Sequence, residues 1–70
     1  MSYEQRTHEL KIYANAHHKR LRFGEMEMHL WFNGETTMKL DLDIALSRPD
    51  VGFVDVIDCV NHTTERVYAK

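Results

Sequence analysis

At Gly24 the chain changes both its hydrophobic period and its charge, and this break restricts it to a helix joined to a sheet. Before the break, Tyr3, Leu10, Tyr13, Ala14, His17 and Leu21 recur at spacings of three, four and seven, one stripe of an amphipathic helix. Ile12, Ala16 and Phe23 widen that stripe. Ser2 and Gln5 have capping-box spacing, and Glu4 falls in the first turn, where the positive end of the dipole favours it. Lys19, Arg20 and Arg22 occupy the last turns, and Gly24 suits the left-handed residue that ends a helix. A helix over 3–23 is predicted.

From Glu25 onward the apolar residues alternate instead. Met26, Met28, Leu30 and Phe32, then Met38, Leu40, Leu42 and Ile44, form one face. Glu25, Glu27, His29, Thr37, Lys39, Asp41 and Asp43 form the other. The pattern predicts two strands, each with one buried and one wet face, over 25–44, with Asn33-Gly34 as the hairpin turn. Only an even register keeps the apolar faces together, and a bulged turn that sets Met28 against Met38 is preferred. Ser47-Arg48-Pro49-Asp50 reads as a turn, because Pro49 cannot join a ladder.

A third strand is expected over 52–60. It is apolar on both faces, with Phe53, Ile57 and Cys59 against Val54, Val56 and Val60, which suits a central or interface strand. Residues 63–69 alternate weakly and read as an edge strand. The expected fold class is therefore α+β: one N-terminal amphipathic helix on the apolar face of a three- to four-stranded antiparallel sheet, in the order α-β-β-β-β.

Seventy residues make one domain with a marginal core, so a partner subunit or a larger complex is expected to supplement it. Cys59 is the sole cysteine, which forbids an intrachain disulfide and favours a reducing compartment. No apolar run exceeds three residues, so neither a membrane span nor a secretory leader is predicted, and a cytoplasmic location is expected. Charge is segregated. Residues 1–24 carry five basic and two acidic side chains, and residues 25–58 carry two basic and eight acidic. The net charge of −2 and pI near 6.2 argue against a dedicated nucleic-acid binder but not against a local basic patch.

Each chemically suggestive cluster has a plain alternative. His17-His18-Lys19-Arg20-Leu21-Arg22 could grip phosphate, with Lys11 and His18 joining Lys19, Arg20 and Arg22 as nucleic-acid contacts; cations ending a helix also complement its dipole. Cys59 and His62 have chelating spacing, but a structural zinc site needs two such pairs and the chain has one. No nucleophile elbow, glycine-rich loop or acid–base pair is evident, so no catalytic residue, metal or cofactor is expected. The acidic set Asp41, Asp43, Asp50, Asp55 and Asp58 lacks the spacing of a calcium loop and reads as a solvated sheet face.

Trp31 fits the plain account least well. Alternation places it on the wet face with Glu27 and His29, and tryptophan is enriched in interface hot spots. Either Phe53 or the Val54 and Val56 pair must also point away from the helix. Trp31, His29, Phe53 and Val56 are therefore the expected partner-binding residues of a non-enzymatic domain acting by protein–protein contact, as a homodimer or on another protein. Nucleic-acid binding is the alternative. In size and lack of motifs the chain resembles the small accessory proteins of phages and mobile elements. No particular residue carries that resemblance, which implies regulation or inhibition of a larger complex.

Overall fold

The computed structural model describes residues 3–69. A short 3₁₀ turn, Tyr3–Gln5, leads into strand β1 (His8–Ala14). Strand β2 (Met26–Phe32), helix α1 (Glu35–Ser47), strand β3 (Val51–Asp58) and strand β4 (Thr63–Tyr68) follow. The strands form one antiparallel sheet in the order β2-β1-β3-β4, and α1 lies across one of its faces.

The class is α+β, with one α-helix and four antiparallel strands, but the helix sits between β2 and β3 rather than at the N-terminus. The segment read as a helix over 3–23 is a 3₁₀ turn and a strand followed by a long loop, and the second half of the expected hairpin is the helix. The capping box assigned to Ser2 lies outside the described residues.

Both segments satisfy two periods, which explains the exchange. In His8–Ala14, Leu10, Ile12 and Ala14 alternate with Glu9, Lys11 and Tyr13, and the three even residues are buried under the helix. In Glu35–Ser47, Met38, Leu42, Ala45 and Leu46 follow helical spacing and turn inward, with Met38 and Ala45 buried. Leu40 and Ile44, core residues on a strand reading, lie on the outer face of the helix and are 62% and 63% exposed. Composition decides between the periods: Glu35, Met38, Lys39, Leu40, Leu42, Ala45 and Leu46 are all good helix formers.

Asn33-Gly34 consequently opens the helix instead of turning a hairpin. Gly34 has φ 116°, a conformation that favours glycine, and its N–H donates to Thr7 Oγ1 at 2.7 Å. Lys39 pairs with Glu35 at 3.0 Å one turn away, and Pro49 follows the helix end, where proline commonly marks a stop. Gly24 does adopt a left-handed φ of 85°, but within the β1–β2 loop rather than at a helix end.

The expected Met28–Met38 pairing is likewise replaced. β2 pairs with β1, with Leu10 opposite Leu30 and Ile12 opposite Met28. Met26 and Met28 are 49% and 41% exposed on this edge strand, so Met38 is the described methionine that fills the core. The expectations for β3 and β4 hold: β3 is an inner strand and β4 an edge.

The core comprises Leu10, Ile12, Phe32, Met38, Ala45, Val51 and Val54, flanked by Leu30, Leu42, Leu46 and Val56. Leu10 and Val54 are fully buried, each contributing about 1.5–3 kcal/mol relative to exposure. Every buried side-chain polar atom among the described residues has a hydrogen-bond partner.

Candidate functional site

Because α1 covers only one face, the sheet presents a second face that no described helix or strand packs against. Register fixes what stands there. Glu9 lies between Trp31 and Ile57, Lys11 between His29 and Asp55, and Phe53 between Tyr13 and Tyr68. Trp31, His29 and Phe53 therefore share this open face, as their alternation implies. Val56 does not: it pairs with Leu10 and packs against the core under α1. Of the two sets that could have pointed away from the helix, Phe53 does so and the valines do not.

The open face has two ends of different chemistry. At one end, Glu9 is a buried carboxylate that accepts hydrogen bonds from Arg6 Nε at 3.0 Å, His29 Nε2 at 2.6 Å and Cys59 Sγ at 3.2 Å. Burial pushes the Glu9 carboxyl up, but those three donors and the charge of Arg6 outweigh it and bring its pKa from 4.5 down to about 2. Burial and the neighbouring Glu9 push the Cys59 thiol up, away from the thiolate that nucleophilic chemistry requires. Glu9 stands between Cys59 and His29, so the imidazole bonds to the carboxylate and not to the sulfur. Next to this cluster the Trp31 ring meets His29 edge-on at 5.9 Å and is 43% exposed.

The other end is aromatic. Tyr13 and Phe53 stack with centroids 4.7 Å apart, and the Arg66 guanidinium lies 4.2 Å over the Phe53 ring. Arg66 is held there by a two-pronged bond to Asp55, at 2.8 and 3.1 Å, which also lowers the Asp55 pKa. Phe53 is thus largely covered, at 9% exposure, whereas its neighbours Tyr68 and Phe23 are each 68% exposed.

The expected nucleic-acid residues are divided between two places. Lys11 lies on the open face, paired across the sheet with His29 and Asp55. His18, Lys19, Arg20 and Arg22 belong to the β1–β2 loop, and the first three line an open cavity against the end of α1. Asn15 ties that loop down: its side-chain amide donates to Pro49 O at 2.7 Å, and its carbonyl accepts from His18 N–H.

His18 is fixed at both ring nitrogens. The N–H groups of Arg20 and Leu21 donate to Nδ1 at 3.1 and 3.0 Å, so Nε2 carries the proton and donates to Glu27 Oε2 at 2.5 Å. Glu27 reaches this point because β2 bulges there; its neighbours Met26 and Met28 pair with Tyr13 and Ile12, and Glu27 is the residue left over. Arg48 completes the cluster, with Nη1 donating to Glu27 Oε1 at 2.7 Å and Nη2 donating to Asp50 Oδ2 at 3.0 Å. Arg48 and His18 together hold the Glu27 carboxyl below its usual range.

His18, Glu27 and Asp50 bring ligand-type atoms within 4.8 Å of one another, a group the Cys59-His62 spacing did not anticipate. Its chemistry is not that of a ready cation site. Arg48 already donates to both carboxylates, and the imidazole nitrogen facing them is protonated while the other accepts two backbone bonds. A metal ion there would have to displace the guanidinium and the Nε2 proton together.

Comparisons with family models, curated proteins and solved structures find no match to this chain. The 13-residue α1 is too short and too polar to cross a membrane.

Proposed function

We propose that this protein is a small non-enzymatic regulatory domain that works by protein–protein contact through its open sheet face, with a second copy of itself as the first partner. The observation that carries this reading is the exposure of Trp31, Tyr68 and Phe23 on or beside a sheet face that no described element covers. Tryptophan, tyrosine, phenylalanine and arginine are the residue types enriched at the centre of interfaces.

Charge on this side suits a protein partner better than a polyanion. Arg6, Lys11 and Arg66 stand against Glu9 and Asp55, a balance of +1, and both acids are already paired. Such a surface can meet its own copy about a two-fold axis without strong repulsion. A dimer would also supplement a core limited by a 70-residue chain. The same face could in turn be used on a larger complex that the protein regulates, within a cytoplasmic setting.

Sedimentation equilibrium tests the reading. The wild-type chain is expected to associate at micromolar concentration, and Trp31→Ala to shift it to monomer by weakening association about thirtyfold or more, the loss typical of a hot-spot residue. A wild-type chain that stays monomeric, or a folded Trp31→Ala variant that associates as well as wild type, contradicts it.

A further inference from the structure

The β1–β2 loop and the turn after α1 line an open cavity of about 760 Å³. That volume lies in the range of small-molecule sites. Its wall is unusually well fixed for a surface loop. Arg48 bridges Glu27 and Asp50, His18 is bonded at both nitrogens, and Asn15 clamps the loop to the turn at Pro49. A wall held this way needs little ordering when a ligand arrives, and that lowers the cost of binding.

The cavity lining carries a formal balance of +1, with Lys19, Arg20 and Arg48 against Glu27 and Asp50. Both carboxylates of the wall are taken up by Arg48 and His18, whereas Lys19 and Arg20 line the same cavity and form no ion pair among the described residues. A cation would therefore find no free acid here, while an anion would find two free bases on adjacent residues. Adjacent Lys and Arg suit a dianion, the arginine by forked hydrogen bonds and the lysine as a point charge. Leu21 and Pro49 add apolar surface, and the volume exceeds what a bare oxyanion fills.

We infer that this cavity binds a small phosphorylated ligand of nucleotide size, its phosphoryl group held by Lys19 and Arg20 and its organic part laid against Leu21 and Pro49. This site is separate from the open sheet face, and its success or failure does not depend on the docking described above.

The test is a titration of the isotopically labelled full chain with adenosine 5′-monophosphate, with adenosine and inorganic phosphate as companion probes. Saturable amide shifts confined to residues 17–21, 27 and 48–50 are expected with the monophosphate. Weaker shifts at the same positions are expected with phosphate, and little response with adenosine. The exposed double variant Lys19→Glu/Arg20→Glu should bind at least about tenfold more weakly, the worth of one charge-assisted hydrogen bond. Lys19→Gln/Arg20→Gln, which removes charge without adding repulsion, should lose affinity in the same direction. The proposal is overturned by non-saturating or scattered shifts, by adenosine binding as well as the monophosphate, or by full affinity in both variants. It is also overturned if only a single-stranded oligonucleotide binds, with a steep salt dependence that Lys11→Gln reduces as much as Arg20→Gln, since that describes a polyanion track and not a pocket.

Discussion

Glu9 shows most clearly how single residues set the character of the open face. It is buried, ionised and bonded to Arg6, His29 and Cys59, so it fixes three neighbours and keeps Cys59 a thiol. Its folded pKa of about 2 lies below its ordinary 4.5, which gives the sign of its effect. The stabilisation it supplies is fully present above pH 4.5 and is lost as pH falls toward about 2, because protonation then favours the unfolded chain. Thermal melts across that window should show a falling midpoint, and Glu9→Gln should flatten the fall while lowering the midpoint at neutral pH. Little of this cluster was legible beforehand. Glu9, His29 and Cys59 are far apart in sequence, and only the pairing of β1 with both β2 and β3 brings them together. Trp31 and His29 were legible, because residues 28–32 keep the two-residue alternation and the bulge falls before them, at Glu27. Val56 was not, since a strand apolar on both sides does not reveal which side meets the helix.

At the scale of elements, the lesson concerns period. His8–Ala14 and Glu35–Ser47 each fit a two-residue and a three-to-four-residue repeat, and spacing alone chose wrongly in both. The better discriminants were composition and punctuation: strong helix formers from Glu35 to Leu46, with Gly34 before them and Pro49 after. Gly34 is the sharpest test of the revised assignment. A Cβ there would meet open space, so Gly34→Ala is penalised by backbone conformation alone. At φ 116° the expected cost is about 1 kcal/mol or more, read as a lowered denaturant midpoint. Were Asn33-Gly34 a hairpin turn, residues 35–44 would instead be paired as a strand. Residues 35–44 should give helical carbon chemical shifts, not strand ones.

For the whole molecule, the charge break at Gly24 takes on a new meaning. On its basic side, Lys19, Arg20 and Arg22 do not end a helix and complement a dipole; they belong to a loop that places Lys19 and Arg20 at a cavity mouth and Phe23 beside the open face. The acidic half is divided among α1, with Glu35, Asp41 and Asp43, carboxylates engaged by Arg48 and Arg66, and Glu25 and Asp58, which accept backbone N–H groups in the two turns beside them. One sheet face is closed by the helix and the other carries the exposed aromatic side chains, so the molecule has an inside and a docking side. Trp31 is the only tryptophan of the chain and lies on that side, which makes it a direct reporter. Its fluorescence, recorded from nanomolar to high micromolar protein with and without iodide, tests the docking claim with no substitution at all. Association through the open face predicts a blue shift and loss of iodide quenching that track dimer formation. Emission and quenching that stay constant across that range, whether or not the protein dimerises, contradict it.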